Sequence, residues 1–86
     1  MKIKIAPRAE KQLRKLPKFD QIAITQKIRS LLKTQVAGEE KLSGYSRIFR
    51  VRVGNYRIVY RKIDGIYIIL IGHRKDIYRA LGDLLR

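Results

Sequence analysis

The sequence predicts a single α+β domain over residues 1–86. Its expected order is β-α-α-β-β-β-α, with an N-terminal helical hairpin packed on a mainly antiparallel sheet. Three observations predict this. Apolar residues recur at helical spacing in residues 8–33 and again after Asp76. Residues 47–71 instead read as alternating or continuous apolar runs of strand length. Two dipeptides, Gly54-Asn55 and Asp64-Gly65, punctuate those runs as two-residue hairpin turns. The helices are expected on one face of the sheet.

Taken in order, Lys2 to Ala6 alternates, with Ile3 and Ile5 on one side and lysines on the other, as a short half-buried strand does. Pro7 suits the first turn of a helix. From Arg8 to Leu16, Ala9, Leu13 and Leu16 fall at i, i+4 and i+7 opposite a basic face, and Pro17 ends this helix. Asp20 is placed to cap a second helix, Gln21 to about Lys33, with the stripe Ile24, Ile28, Leu31 and Leu32. Gln35 to Lys41 reads as a polar loop.

A strand then starts near Arg47. Gly at the first central position makes Gly54-Asn55 a type II′ turn, so Val53 pairs with Tyr56, Arg52 with Arg57, Val51 with Ile58 and Arg50 with Val59. Asp64-Gly65 reads as type I′, placing Ile63 opposite Ile66, Val59 opposite Leu70 and Arg57 opposite Gly72. Ile66 to Ile71 is nearly all apolar, as a central strand covered on both faces requires. Asp76 can cap a last helix whose stripe is Ile77, Leu81, Leu84 and Leu85. The expected core is Ile3, Ile5, Leu13, Leu16, Ile24, Ile28, Leu31, Phe49, Val51, Val53, Ile58, Tyr60, Ile69 and Ile71.

Charge narrows the function. The 21 Lys and Arg against 7 Asp and Glu give a net charge of +14, beyond what solubility needs. Such self-repulsion is relieved by a polyanion. Nucleic acid is the first candidate partner, an acidic protein the second and a membrane surface the third. The chain has no cysteine, so disulfides and thiolate-bound metals do not arise. Its acids are scattered, and no phosphate-loop or dinucleotide motif is present, so neither metal nor cofactor is expected. With no apolar run of about 18 residues and no leader-like start, a cytoplasmic protein without membrane contact is expected.

Period-two alternation puts Arg50, Arg52 and Arg57 on one sheet face, and Arg74 projects from the same face by parity. Gly72 is expected to leave the space beside Arg57 open. The four arginines then fall within roughly 10 Å. Val59, Ile68 and Leu70 are expected exposed beside them, able to receive a partner's apolar side chains. His73, the sole histidine, falls near Tyr56 on the opposite face. Arg47 and Arg61 read as solvated or partner-facing. A merely solvated basic face is the alternative for the whole set.

The segments Phe49-Arg50-Val51-Arg52-Val53-Gly54-Asn55-Tyr56-Arg57-Ile58-Val59-Tyr60 and Ile71-Gly72-His73-Arg74-Lys75-Asp76-Ile77-Tyr78 resemble the RelE/ParE toxin superfamily. The Leu42-Ser43-Gly44 lead-in and the N-terminal strand and helix are similar too, so the resemblance covers nearly the whole chain. The His73-to-Tyr78 segment points to the RelE-type ribonuclease branch. The resemblance implies the toxin of a type II toxin–antitoxin pair, a metal-independent endoribonuclease that cuts mRNA in the ribosomal A site. It further implies a cognate antitoxin, bound in a toxin–antitoxin hetero-oligomer, and contact with ribosome and mRNA.

Position by position, Arg50 and Arg52 match two basic strand positions that are lysines in well-studied members. Arg57 matches the arginine that stabilises the reacting phosphate, and Arg74 a second phosphate-directed arginine. Tyr78 matches a tyrosine that stacks on a base or moves a proton. Arginine does not give up its proton in proteins, so the general base stays open, with Tyr78, His73 or another residue as candidates. Two alternatives stay open: a ParE-like toxin that inhibits DNA gyrase without cutting RNA, and an inactive member that binds only RNA or antitoxin.

Overall fold

The structure, a computed structural model, describes residues 2–84. Its elements are β1 (Ile3–Ile5), α1 (Pro7–Arg14), α2 (Lys18–Ser30), β2 (Glu40–Lys41), β3 (Ile48–Val53), β4 (Tyr56–Lys62), β5 (Ile66–His73) and α3 (Ile77–Leu84). The five strands form one sheet in the order β1-β5-β4-β3-β2, with β1 parallel to β5 and the other pairs antiparallel. The predicted α+β class and helical hairpin are therefore present. Among the described residues, no helix is long and apolar enough to cross a membrane.

The helices do not share a face. On one side α1 and α2 pack Ala9, Ile24, Ile28 and Leu31 against Val51, Ile58, Tyr60, Ile68 and Ile71. On the other, α3 packs Ile77 and Leu81 against Ile48, Val59, Ile69 and Leu70. The expectation of a one-sided arrangement fails because the sheet's second face is itself apolar at Ile48, Val59 and Leu70, and α3 covers it. Val59, Ile68 and Leu70, expected exposed, are fully buried. In α2, Leu32 lies beyond the helix and is exposed, as is Phe19 in its first turn. Leu85 lies outside the described residues.

The hairpin joining α1 to α2 is closed by a side chain. Gln21 donates to the Leu16 carbonyl at 2.8 Å and the Arg14 carbonyl at 3.1 Å, satisfying acceptors that the end of α1 leaves free. Because α2 begins at Lys18, with Pro17 at its N-cap, Asp20 falls inside its first turn. Its carboxylate favours the positive helix end there and accepts a 3.2 Å bond from the Tyr56 hydroxyl. Since β1 ends at Ile5, the Ile71 amide has no strand partner on that side. Gln12 of α1 supplies the acceptor at 2.8 Å.

The first hairpin follows the predicted register throughout, from Val53↔Tyr56 through Arg52↔Arg57 to Arg50↔Val59. Gly54 has φ +58 while Asn55 stays at negative φ, as type II′ requires. The second hairpin departs from prediction at its tip. Lys62, not Ile63, pairs with Ile66, so the loop holds three residues. A bulge between Val59 and Tyr60 absorbs the slip, and Val59↔Leu70 and Arg57↔Gly72 pair as predicted.

The extra residue is Ile69, which joins Leu70 on the α3 side and moves from its expected place under α1 and α2. Gly65 explains the tip. Its φ is +127, and a Cβ there would lie 2.5 Å from the Lys2 carbonyl oxygen, which accepts the Ile66 amide at 2.9 Å. Only glycine lets the turn and β1 approach this closely.

Residues 35–41, read as a loop, contain one further strand. In β2, Glu40 pairs with Arg50 and Lys41 with Phe49.

Candidate functional site

The type II′ turn determines the centre of the site. Val53 and Tyr56 flank it as the hydrogen-bonded pair of a two-residue hairpin. Arg52 and Arg57 therefore form the closer, non-hydrogen-bonded kind of pair, with Cα atoms about 4.5 Å apart. Arg52 is exposed and Arg57 half-buried. Among the described residues, Arg57 Nη1 reaches only backbone carbonyls of its own turn, Tyr56 at 3.2 Å and Gly54 at 3.5 Å. Among the described residues neither arginine has a carboxylate partner.

Arg74 joins them through the backbone. Its amide donates to the Asn55 carbonyl at 2.8 Å, tying the segment after β5 to the tip of the first hairpin. Its side chain is exposed. The space beside Arg57 is not open as expected. Ile77 fills it, since a Cβ on Gly72 would stand 3.3 Å from Ile77 Cδ1. Gly72 thus admits the start of α3 against the strand, and the next residue, Tyr78, projects 46% exposed.

Arg50 stands apart from the other three. Only 8% of it is exposed, and its Nη2 meets Glu40 Oε2 at 2.7 Å. Its Nη1 is buried without a partner among the described residues. The signal missed in the sequence is the Glu39-Glu40 pair, two adjacent acids where acids are scarce. In an extended segment they point to opposite faces. Glu40 takes Arg50 on the α3 side. Glu39 accepts from the Tyr60 hydroxyl and, at 2.7 Å, from Lys62 Nζ on the side of α1 and α2. Lys62 also lies 4.7 Å over the Phe49 ring, which stacks on Tyr60.

His73 falls where parity predicts. It pairs with Tyr56, with ring centroids 6.1 Å apart edge to face, and its Nδ1 accepts the Lys75 amide at 3.2 Å. It therefore projects from the face opposite Arg57. Burial, then the hydrogen bond to Asp20 and that carboxylate's charge, raise the Tyr56 pKa. Burial, followed by the Glu39 hydrogen bond and charge, pushes the Tyr60 phenol far above the ordinary tyrosine range. Both phenols keep their protons at neutral pH and do structural work. Among the described residues, no group of three His, Asp or Glu side chains could hold a metal ion.

A sheet of this topology, with helices on both faces, is the fold of the RelE toxins. The chain superposes with a TM-score of 0.77 on the toxin of the RelB–RelE antitoxin–toxin complex from Methanococcus jannaschii, at 28% identity over 90% of this chain and 96% of that one. The intact E. coli RelBE complex gives 0.71 at 26% identity, over 83% and 93%. The isolated E. coli RelE toxin gives 0.72 at 25%, over 96% and 97%. No curated protein matches the chain by sequence.

Residues 3–78 match the family described as the ParE toxin of type II toxin–antitoxin system, parDE. The chain belongs to this family, within the RelE/ParE superfamily of type II toxins.

Proposed function

We propose that the protein is a RelE-type toxin that cuts mRNA on the ribosome, with Arg57, Arg52 and Arg74 holding the scissile phosphate. One observation carries this reading. Arg52 and Arg57 face each other across the hairpin, and among the described residues neither has an ion-pair partner, while Glu39 and Glu40 are engaged by Lys62 and Arg50. Like charges directly opposite are destabilising, and a bound phosphate relieves the repulsion.

Cleavage by the RNA's own 2′-hydroxyl requires removal of its proton, stabilisation of a dianionic phosphorane and protonation of the leaving 5′-oxygen. Permanently charged planar donors serve the middle step. Arg57 is assigned to the phosphorane oxygens, and Arg52 and Arg74 to the same phosphate from either side. Tyr78, exposed on the first turn of α3, is assigned to stacking or proton movement. Arg50 contributes its field while its guanidinium secures β2 to β3 through Glu40. The partner in this reading is a cognate antitoxin, as in the RelB–RelE complexes.

The family match itself favours a second reading, a non-nuclease toxin acting on DNA gyrase. Incubating the purified protein with translating ribosomes and, separately, with gyrase and relaxed plasmid separates the two. New mRNA ends support the first, and blocked supercoiling with intact mRNA supports the second.

A further inference from the structure

A second basic feature lies on the α3 side of the sheet, beyond the helix and outside the site described above. Tyr67 of β5 is flanked in register by Lys4 of β1 and Arg61 of β4, so one row across three strands reads Lys-Tyr-Arg. Directly paired residues share a face, and Arg57, Val59 and Arg61 alternate along β4 onto that same face. Tyr67 is 41% exposed. Its ring takes part in none of the aromatic or cation–ring contacts among the described residues. Beside it runs a groove of about 260 Å³, walled by Ile69 and Leu84 and edged by Arg8 and Arg61.

None of Lys4, Arg8 and Arg61 has an ion-pair partner among the described residues. Among the described residues, no carboxylate lines the groove.

We propose that this row is a stacking platform for one base of a single-stranded RNA, with Lys4, Arg8 and Arg61 on the flanking phosphates. An aromatic ring set among cations is the arrangement that binds single strands irrespective of sequence. The groove is smaller than the ~300–1,000 Å³ of drug-sized sites, and it suits one planar ring. An added peptide strand is excluded at Tyr67, because β5 is already paired on both sides. A second copy of the chain would bring another +14 of charge against the same face.

Arg57 and Arg61 are four residues apart on β4, roughly 13 Å, with α3 packed over Val59 between them, so the platform and the arginine pair are separate places on one sheet face. Taking the single strand to be mRNA rests on the nuclease reading, while the platform itself does not.

The test is fluorescence anisotropy with a short labelled RNA whose 2′-positions are methylated, so that binding is read without cleavage. Tyr67→Ala is expected to weaken binding about ten-fold, and Tyr67→Phe to leave it unchanged. Arg61→Ala is expected to reduce the salt dependence by about one phosphate contact, a slope change of about 0.7. Far-UV circular dichroism and melting of each variant confirm the fold. The Tyr67 loss should persist in an Arg57→Ala background.

Equal affinity of Tyr67→Ala and wild type for the RNA overturns the proposal. So does a Tyr67→Ala defect confined to binding of an acidic peptide such as polyglutamate. A protein that binds through Tyr67 yet cuts no message retains the platform and loses the nuclease reading, and the reverse pattern does the opposite.

Discussion

Glu40 and Arg50 face each other across β2 and β3, joined at 2.7 Å, with the arginine almost wholly buried and the carboxylate half-exposed. This pair makes a two-residue strand worth forming. Removing its acid takes the carboxylate from a buried guanidinium whose Nη1 already has no partner among the described residues. Full burial of the pair would make the loss about 3–5 kcal/mol. With Glu40 open to water, Glu40→Ala should cost about 2 kcal/mol, measured by urea unfolding. An unchanged midpoint would show the pair to be incidental.

Arg52→Ala should separate stability from activity. It removes a like-charge contact opposite Arg57, so the variant should unfold at the same or higher denaturant concentration, by up to about 1 kcal/mol. The rate of message cleavage should fall on the order of 100-fold, the usual cost of one lost charge-stabilising donor. Parallel unfolding and single-turnover cleavage assays check both signs.

Tyr60 gives the fold an alkaline limit. Its folded pKa lies above the unfolded value near 10, chiefly through burial and then through Glu39. Below pH 10 both states hold the proton and the contribution is fully present. Above it the unfolded chain loses the proton first, and stability declines by up to about 1.4 kcal/mol per pH unit. Tyr60→Phe should flatten this decline relative to wild type in unfolding measured between pH 9 and about 11.

Gly65→Ala should destabilise by about 2–3 kcal/mol, because the φ is one that only glycine adopts readily and the Cβ meets the Lys2 carbonyl. Hydrogen exchange should show the loss first at β1 and the Ile66 amide.

The first hairpin was legible because its register follows from one turn and one alternation, both local. Arg52, Arg57 and His73 accordingly stand where parity put them. The second hairpin shows the limit of such reading. Asp64-Gly65 marks a turn, but its loop length was decided by the close approach of Lys2, a residue some sixty positions earlier. The Ile69 bulge then restored the register, so the pairing of Arg57 survived an error at the tip.

Arg50 was not legible, because the Glu39-Glu40 pair signals a role for these acids without naming the strand or the residue each will meet. The position of α3 was not legible either. An apolar stripe states that a helix must be covered, without stating which sheet face covers it.

The central claim is that Arg57 lies at the heart of a site that cuts ribosome-bound mRNA. Primer extension on a ribosome-bound message, with purified wild type and Arg57→Ala, tests it most directly. Wild type should produce new 5′ ends within the reading frame, and Arg57→Ala, equally folded by circular dichroism, should lose at least 100-fold of that cleavage. Undiminished cleavage by Arg57→Ala, or an intact message with wild type, would contradict the account.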